Sequence, residues 1–157
     1  MKEIIIGPSH FRATLLVDDT DFDRINKQNW TLGICKSYNI KTCFNGRIVA
    51  IANFVMNDYT NEYDHRDRNI FNNQKDNLRI ATKNQNQWNK GIQANNTSGY
   101  KGVYWRSDRN KWRAEIKYYN SNIHLGYYKN KKEAAKAYNK KALELFGEFA
   151  YLNPIGE

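Results

Sequence analysis

The chain has 157 residues, of which 40% are hydrophobic, 14% aromatic and 26% charged. This length suits one domain or two small ones, and the aromatic content argues against an intrinsically disordered chain. The longest apolar run near the start covers residues 4–6 and ends at Gly7 and Pro8. It is too short for a signal peptide or a membrane span, so we expect a soluble, cytoplasmic protein with no membrane partner.

The net charge of +9 is distributed unevenly along the chain. Residues 1–89 contain 12 basic and 10 acidic side chains, whereas residues 90–157 contain 13 and 6. The basic C-terminal part predicts a polyanionic partner, with nucleic acid favoured over an anionic membrane surface. Residues 90–98 are small and polar without an apolar period, which predicts a linker between modules at 1–89 and 99–153.

The N-terminal module is predicted to be rich in β-structure. Apolar runs bounded by turn residues predict strands and one short helix, with strands at 3–6 and 13–17, the helix at about 20–28, and strands at 31–35 and 40–44. Asn45 and Gly46 predict a hairpin into a further strand at 47–51. Cys35 and Cys43 fit neither a zinc nor a disulfide pattern and are predicted to be reduced thiols.

Residues 63–89 combine polar side chains that suit phosphodiester hydrolysis. That reaction needs a base to activate water and a cation to hold the developing charge. His65 suits a base near neutral pH, and Asp64 offers a carboxylate to a hard cation such as Mg²⁺. On a strand these neighbours point to opposite faces, so a distortion would have to bring both to one site. The same residues also fit a turn held by Asn and Asp hydrogen bonds, and the pattern alone leaves this alternative open.

A strand–loop–strand–helix order is predicted around this pair. Asn77 lies in the turn before a strand at 78–81, where its side chain can tie the loop together by hydrogen bonds. Thr82 can cap a helix that starts at Lys83, and Asn86 then lies just past the first helical turn. The four elements form a compact unit of sequence with no gap between them.

The complete string resembles the HNH endonuclease motif of phage and intron-encoded nucleases. The resemblance rests on Asp64, His65, Asn69, Asn72, Asn73, Asn77, Leu78 and Arg79. It implies a ββα-metal cassette at about 63–89, within an HNH endonuclease domain at 1–89.

The resemblance also implies roles for individual side chains. His65 would be the general base that activates water, and Asn77 would orient the loop and His65. Arg79 would contact a phosphate. Asp64 and Asn86 would bind one divalent cation, Mg²⁺ or Mn²⁺.

The C-terminal segment alternates strictly between apolar and polar residues, which predicts half-buried antiparallel strands. In residues 112–119 one face carries Trp112, Ala114, Ile116 and Tyr118, and the other carries Arg113, Glu115, Lys117 and Tyr119. In residues 122–128 we expect Ile123, Leu125 and Tyr127 to point inward and Asn122 and His124 outward. A strand at 101–106 adds Lys101, Tyr104 and Arg106 to the polar face.

A helix is predicted to cover the apolar face of these strands. Asn130 is a suitable N-cap with Glu133 at capping-box spacing, and Gly147 is a suitable C-terminal stop. The apolar stripe of the helix consists of Ala134, Tyr138, Ala142, Leu145 and Phe146. The mixed Arg, Lys and Tyr face of the sheet suits phosphate and base-edge contacts, although a merely solvated basic face has the same pattern.

Residues 99–153 resemble the APETALA-two/ERF DNA-binding domain. The matching stretches are 99–103, 111–116, 124–128, 133–138 and 146–153. The resemblance implies a three-stranded sheet that lies in the major groove of DNA and is backed by one helix. By position it implies DNA contacts from Lys101, Tyr104, Arg106, Glu115, Lys117, Asn122 and His124. Arg113 and Tyr119 share the predicted polar face and complete the set of candidate DNA-binding residues.

The sequence therefore predicts an α+β protein in two modules, a β-rich region with an HNH cassette and a three-stranded antiparallel sheet on one helix. The predicted function is a metal-dependent DNA endonuclease that acts on double-stranded DNA, by nicking or by double-strand cleavage, and takes no small-molecule substrate. The abundance of Asn, Lys, Ile and Tyr suits an AT-rich phage or mobile element.

A DNA-binding regulator that keeps the cassette only as scaffold is the main alternative, and an RNA-binding module is a weaker one because the sheet face is mostly charged. Monomer and dimer both stay open.

Overall fold

The computed structural model describes residues 1–7, 12–33 and 39–156. The chain divides into two units, Met1–Lys83 and Asn84–Glu157, and each has hydrophobic clusters of its own. Both units mix small antiparallel sheets with helices, so the predicted α+β class is confirmed. Among the described residues, no helix has the length and apolar character needed to cross a bilayer. Cys35 and the end of the strand predicted at 31–35 lie outside the described residues.

The first unit consists of three small sheets and short helices. Its elements are β1 (Lys2–Ile6), β2 (Ala13–Val17), α1 (Phe22–Asn26), β3 (Thr31–Gly33), β4 (Asn39–Phe44), β5 (Arg47–Ala50), α2 (Ile51–Met56), β6 (Tyr63–His65) and β7 (Leu78–Ile80). The antiparallel pairs are β1 with β2 and β6 with β7, and β4 lies between β3 and β5. Asn45 and Gly46 have φ angles of 49° and 73°, which confirms the predicted hairpin turn.

Helix α2 was not predicted from the sequence. Its residues continue the apolar run of β5 without a turn signal, and four of its six side chains are buried. Phe54 makes edge-to-face contacts with Trp30 and Phe44, at ring-centroid distances of 5.4 and 5.1 Å. The Arg24 guanidinium lies 4.8 Å from the Phe54 ring and donates to the main-chain oxygens of Phe54 and Val55. Tertiary packing therefore stabilises a helix that is too short to form alone.

The second unit is a three-stranded sheet covered by one long helix. It contains the greater part of α3 (Lys83–Asn89), then β8 (Val103–Arg106), β9 (Lys111–Tyr118), β10 (Ser121–Tyr128) and α4 (Lys131–Phe146). Strand β9 lies between β10 and β8. The Asn130 side chain accepts from the Lys132 amide at 2.8 Å, and Gly147 ends α4 with a φ of 53°, so both predicted helix ends are confirmed. Of the predicted apolar stripe, Leu145 is partly buried and the other four residues are buried.

Strand β10 departs from the predicted alternation. Its register shifts between His124 and Gly126, so Tyr127 lies opposite Arg113 and Tyr128 lies opposite Trp112. The expectation that Tyr127 points inward is therefore wrong. The bulge adds one residue and reverses the facing of every later side chain. Leu125 and Tyr128 pack on the apolar side, and Tyr127 joins the polar outer face.

Gly102 is required where the sheet meets α4. Its φ is +73°, and a Cβ atom there would lie 2.3 Å from the Tyr138 ring and 2.5 Å from the Glu115 main-chain oxygen. Gly99 has a similar φ of +78°, but a Cβ atom there would meet nothing within 4 Å. An alanine at Gly99 would therefore meet backbone strain alone, whereas an alanine at Gly102 would meet backbone strain and a steric clash.

We expect Gly102→Ala to destabilise the protein much more than Gly99→Ala. Gly99→Ala should lower the free energy of unfolding by about 1–2 kcal/mol, the cost of a left-handed conformation. Gly102→Ala should cost at least about 3 kcal/mol, because it adds a clash to the same strain. Denaturant unfolding followed by tryptophan fluorescence measures both. Equal losses in the two variants would contradict the packing described for Gly102.

Candidate active site and nucleic-acid interface

Strands β6 and β7 carry a buried ion pair. Asp64 lies directly opposite Arg79 in the antiparallel register. Arg79 donates to Oδ2 of Asp64 from Nε at 2.9 Å and from Nη2 at 2.7 Å, and each residue is 7% exposed. The pair orients the Asp64 carboxylate, because one guanidinium edge binds one of its oxygens. The predicted contact of Arg79 with a phosphate stays a prediction.

His65 is held by a buried amide. Its Nε2 lies 3.1 Å from Oδ1 of Asn73, which is 0% exposed. The amide nitrogen of Asn73 donates to the main-chain oxygen of Ile70 at 2.9 Å, so Oδ1 of Asn73 is the acceptor in the contact with His65. This network assigns the ring proton to Nε2 and leaves the lone pair of the neutral imidazole on Nδ1.

Burial lowers the pKa of His65 below its ordinary value. It outweighs the hydrogen bond with Asn73 and the negative charges of Asp67 and Asp64, which raise that pKa. Because its pKa is lowered, the His65 imidazole is neutral at neutral pH, and the neutral ring is the form that can accept a proton. The register of β6 with β7 runs without a shift through Asp64 and His65, so the two side chains lie on opposite faces of the ribbon, where they meet Arg79 and Asn73 respectively. A single site formed by both side chains stays a prediction.

The loop between β6 and β7 is held by side-chain hydrogen bonds. Asn77 donates from Nδ2 to Oδ1 of Asp67 at 2.9 Å and to the main-chain oxygen of Asn72 at 2.8 Å. Its Oδ1 accepts from the Asp67 amide at 3.1 Å. Burial raises the pKa of Asp67, but the hydrogen bonds from Asn69, Asn72 and Asn77 outweigh it and hold this pKa below its ordinary value. Asn77 thus joins the two ends of the loop.

The same loop is anchored on β2. The Leu16 amide donates to the Phe71 oxygen and the Asn73 amide donates to the Leu16 oxygen, both at 2.8 Å. The Asp18 carboxylate accepts from the Lys75 amide at 2.8 Å. Because Asn73 is bound to β2 by its main chain, the partner of His65 has a fixed position.

The predicted metal ligands lie on different elements. Asp64 is on β6 in the first unit, and Asn86 is on α3 among the residues of the second. Their joint binding of a cation stays a prediction. Within residues 1–7, 12–33 and 39–156, no three His, Cys, Asp or Glu side chains are grouped as metal ligands.

The outer face of the β8–β10 sheet brings most candidate DNA-binding residues together. Cross-strand neighbours share one face of an antiparallel sheet. The pairs on this face are Tyr104 with Arg113, Arg106 with Lys111, Glu115 with His124, and Lys117 with Asn122. Glu115 also binds Arg113 and accepts from the Tyr104 hydroxyl at 3.4 Å.

Two candidate DNA-binding residues lie elsewhere. The Lys101 ammonium donates to the main-chain oxygens of Trp88 and Lys90, at 2.8 and 2.5 Å, and so caps the C-terminal end of α3. Tyr119 lies in the turn after β9 with a φ of 51° and makes an edge contact with the Trp88 ring. The strand predicted at 112–119 therefore ends one residue early, because the turn needs a left-handed conformation at Tyr119. A DNA contact by either residue stays a prediction.

The bulge in β10 creates an aromatic and basic cluster that the sequence reasoning missed. The Arg109 guanidinium lies 4.6 Å from the centre of the Tyr127 ring, and the His124 ring is 4.6 Å from the same ring. Gly126 was the available signal, since a glycine inside an alternating strand often marks a bulge. Arg109 lies in the β8–β9 turn, where no alternation could have assigned it to a face.

Comparison with known proteins points to viral relatives. The chain is 41% identical over 93 residues, 59% of its length, to a protein of Acanthamoeba polyphaga mimivirus named as an uncharacterized HNH endonuclease. It is 43% identical over 53 residues, 34% of its length, to Protein 3.8 of Escherichia phage T7. The matches span 46% and 44% of those two proteins, less than half of each. No protein-family model and no solved structure matches the chain.

Asn77→Ala should destabilise the first unit. The variant removes the three hydrogen bonds described above, so we expect a loss of about 1–3 kcal/mol in the free energy of unfolding. Asn26→Ala is the matched control, because Asn26 is exposed at the end of α1, and should change stability by less than about 0.5 kcal/mol. Denaturant unfolding measures both variants. A neutral Asn77→Ala would show that the loop is held by other contacts.

Proposed function

We propose that this protein is a metal-dependent DNA endonuclease of the HNH type. The observation that carries the proposal is the contact of His65 Nε2 with the buried amide of Asn73, which places the lone pair of the neutral ring on Nδ1. His65 lies on β6, the strand that also carries Asp64. The mimivirus relative, named as an HNH endonuclease, supports the same activity class.

In this proposal His65 activates the attacking water. Nδ1 takes a proton from water, and the water oxygen bonds to the phosphorus of the phosphodiester. The bond from phosphorus to the leaving sugar oxygen breaks, and that oxygen takes a proton from solvent. Asn73 keeps the ring proton on Nε2, so Nδ1 keeps its lone pair as the water approaches. Asn77 positions His65 indirectly by holding the loop closed.

The donor chemistry of Asp64 and Asn86 fits a hard divalent cation. Both side chains offer oxygen atoms, which suit Mg²⁺ or Mn²⁺, and neither is a soft ligand that would favour zinc. Such a cation, when bound, neutralises charge that develops on the phosphate. Arg79 orients the Asp64 carboxylate in the buried ribbon through two hydrogen bonds to one of its oxygens.

We further propose that the outer sheet face binds duplex DNA in the major groove, in the manner of an APETALA-two/ERF domain. The excess of basic residues after residue 89 supports an anionic partner. Arg106, Lys117 and Arg113 provide cations beside Tyr104, His124 and Asn122, which can contact base edges.

A DNA-binding regulator without catalysis is the second candidate. It is favoured by the two hydrogen bonds that Arg79 makes to one oxygen of Asp64, since a carboxylate in a buried ion pair also serves a purely structural role. Cleavage assays separate this candidate from the nuclease.

His65→Ala should abolish cleavage and leave duplex binding intact. We expect the rate to fall by about 10²–10⁴-fold, the usual contribution of a general base. A supercoiled plasmid pool with randomised inserts is incubated with Mg²⁺ or Mn²⁺, and sequencing of the cleaved ends detects nicking even where few plasmids carry the target. Because the pKa of His65 is lowered from 6.5, the wild-type rate should fall with acidification only below that value.

Asn26→Ala serves as the matched variant and should cut like the wild type, and EDTA should stop all cutting. A wild-type protein that binds the pool but leaves every plasmid intact would favour the regulator. Equal cutting by His65→Ala would remove His65 from the mechanism.

Arg109→Ala and Tyr127→Ala should each weaken duplex binding about tenfold, because the two side chains form one cluster on the outer face. Arg109→Ala should also reduce the salt dependence of binding by about one phosphate contact. Lys136→Ala is the control, since Lys136 is exposed on α4, the helix that covers the other side of the sheet. Fluorescence anisotropy over a salt series measures all three. An unchanged affinity in Arg109→Ala would place the DNA away from this cluster.

A further inference from the structure

A cleft opens beside the outer sheet face of the second unit. Its volume is about 710 Å³, within the range of small-molecule sites. Strands β8 and β9 line it with Tyr104 and Lys117, and Gly102 and Tyr138 contribute from the junction of the sheet with α4. Lys101, Val103 and Glu115 also line the cleft, and the rest of its lining comes from the end of α3 and the segment after it, at Gln87, Lys90, Gly91, Ile92, Gln93, Asn95, Asn96 and Thr97.

The cleft gathers polar side chains with unused hydrogen-bonding capacity. Gln87, Lys90 and Gln93 line it and make no side-chain hydrogen bond or ion pair within the described part of the chain, and the same holds for Lys117. Two ammonium groups and two primary amides therefore converge on one concave space. Tyr104, which also lines the cleft, is 41% exposed and offers an aromatic surface.

A second hollow of about 400 Å³ adjoins the first. The two share Gln87, Gln93 and Lys117, and the second adds the rings of Trp88 and Tyr119. Aromatic, amide and cationic groups thus line two adjoining hollows, which together are called the recess.

We propose that this recess binds one nucleotide, as a nucleoside monophosphate unit. The ammonium groups of Lys90 and Lys117 suit a phosphate. The amides of Gln87 and Gln93 each offer a donor and an acceptor, which is what the edge of a base requires. An exposed ring such as Tyr104 or Tyr119 supports stacking of a flat base.

The position of the recess beside the outer face points to bound duplex DNA as the source of the nucleotide. Tyr104 and Lys117 belong both to the recess and to the outer face proposed to bind duplex DNA. A nucleotide displaced from the bound duplex would reach the recess without leaving that face, at the cost of unpairing one base. This assignment of the source depends on the proposed DNA binding, whereas the nucleotide chemistry of the recess does not.

Binding of two matched duplexes tests the proposal. Both are about two helical turns long, and one carries a single unpaired nucleotide. We expect the full-length wild-type protein to bind the duplex with the unpaired nucleotide at least about tenfold more tightly, the lower end of the value for one hydrogen bond to a charged group. The combined variant Lys90→Gln and Gln93→Ala should lose this preference and keep its affinity for the paired duplex. Lys140→Gln, an exposed change on α4, should keep the preference.

A titration with dAMP distinguishes the two sources of nucleotide. Shifts of the Gln87 and Gln93 side-chain amide signals in NMR spectra would show that the recess takes a free nucleotide. A preference for the unpaired duplex without such shifts would show that it takes only a nucleotide held by DNA.

Equal affinity for both duplexes together with no dAMP shift would overturn the proposal. If neither duplex binds, the proposed DNA-binding function fails instead, and the dAMP titration alone decides whether the recess is a nucleotide site. If the double variant keeps the preference for the unpaired nucleotide, the recess is not where that nucleotide binds.

Discussion

The loop between β6 and β7 has few apolar side chains, so hydrogen bonds must hold it in one conformation. Short amide and carboxylate side chains do this from within the loop, and Asn77 joins its two ends through Asp67. Main-chain bonds between the loop and Leu16 then fix Asn73, and Asn73 fixes His65. The buried amide of Asn73 needs its hydrogen-bond partners, because a buried amide without them would destabilise the site. The chemistry proposed for His65 therefore depends on this polar network more than on the hydrophobic core.

The ion pair of Asp64 and Arg79 has a different role. A buried pair of this kind adds little net stability, because the loss of hydration offsets most of the attraction between the charges. Its geometric effect is larger, since two N–H groups of Arg79 hold one carboxylate oxygen in place. The strand pairing sets this contact, because the two residues lie directly opposite each other.

Aromatic packing defines the second unit. Trp88 stacks on Phe146 with ring centroids 4.5 Å apart and also contacts Tyr118, so the end of α3 is part of the core of this unit. Lys101 reinforces the junction through its bonds to the carbonyl groups at the end of α3. One side of the sheet is thereby packed against α4 and the end of α3. The other side carries charged and aromatic residues at the surface, and the bulge in β10 adds Tyr127 to that side.

Local signals in the sequence were sufficient for most of the secondary structure. Asn45-Gly46 determined a hairpin, Asn130 and Gly147 determined the ends of α4, and the alternation after Lys111 determined which face of β9 is buried. These features depend on backbone sterics and on neighbouring residues, which a sequence shows directly. Helix α2, the contact of His65 with Asn73, the Asp64–Arg79 pair and the facing of Tyr127 were decided only by the tertiary structure. Each of them depends on a strand register or on burial against residues that are distant in the chain, and neither quantity is encoded at the positions themselves.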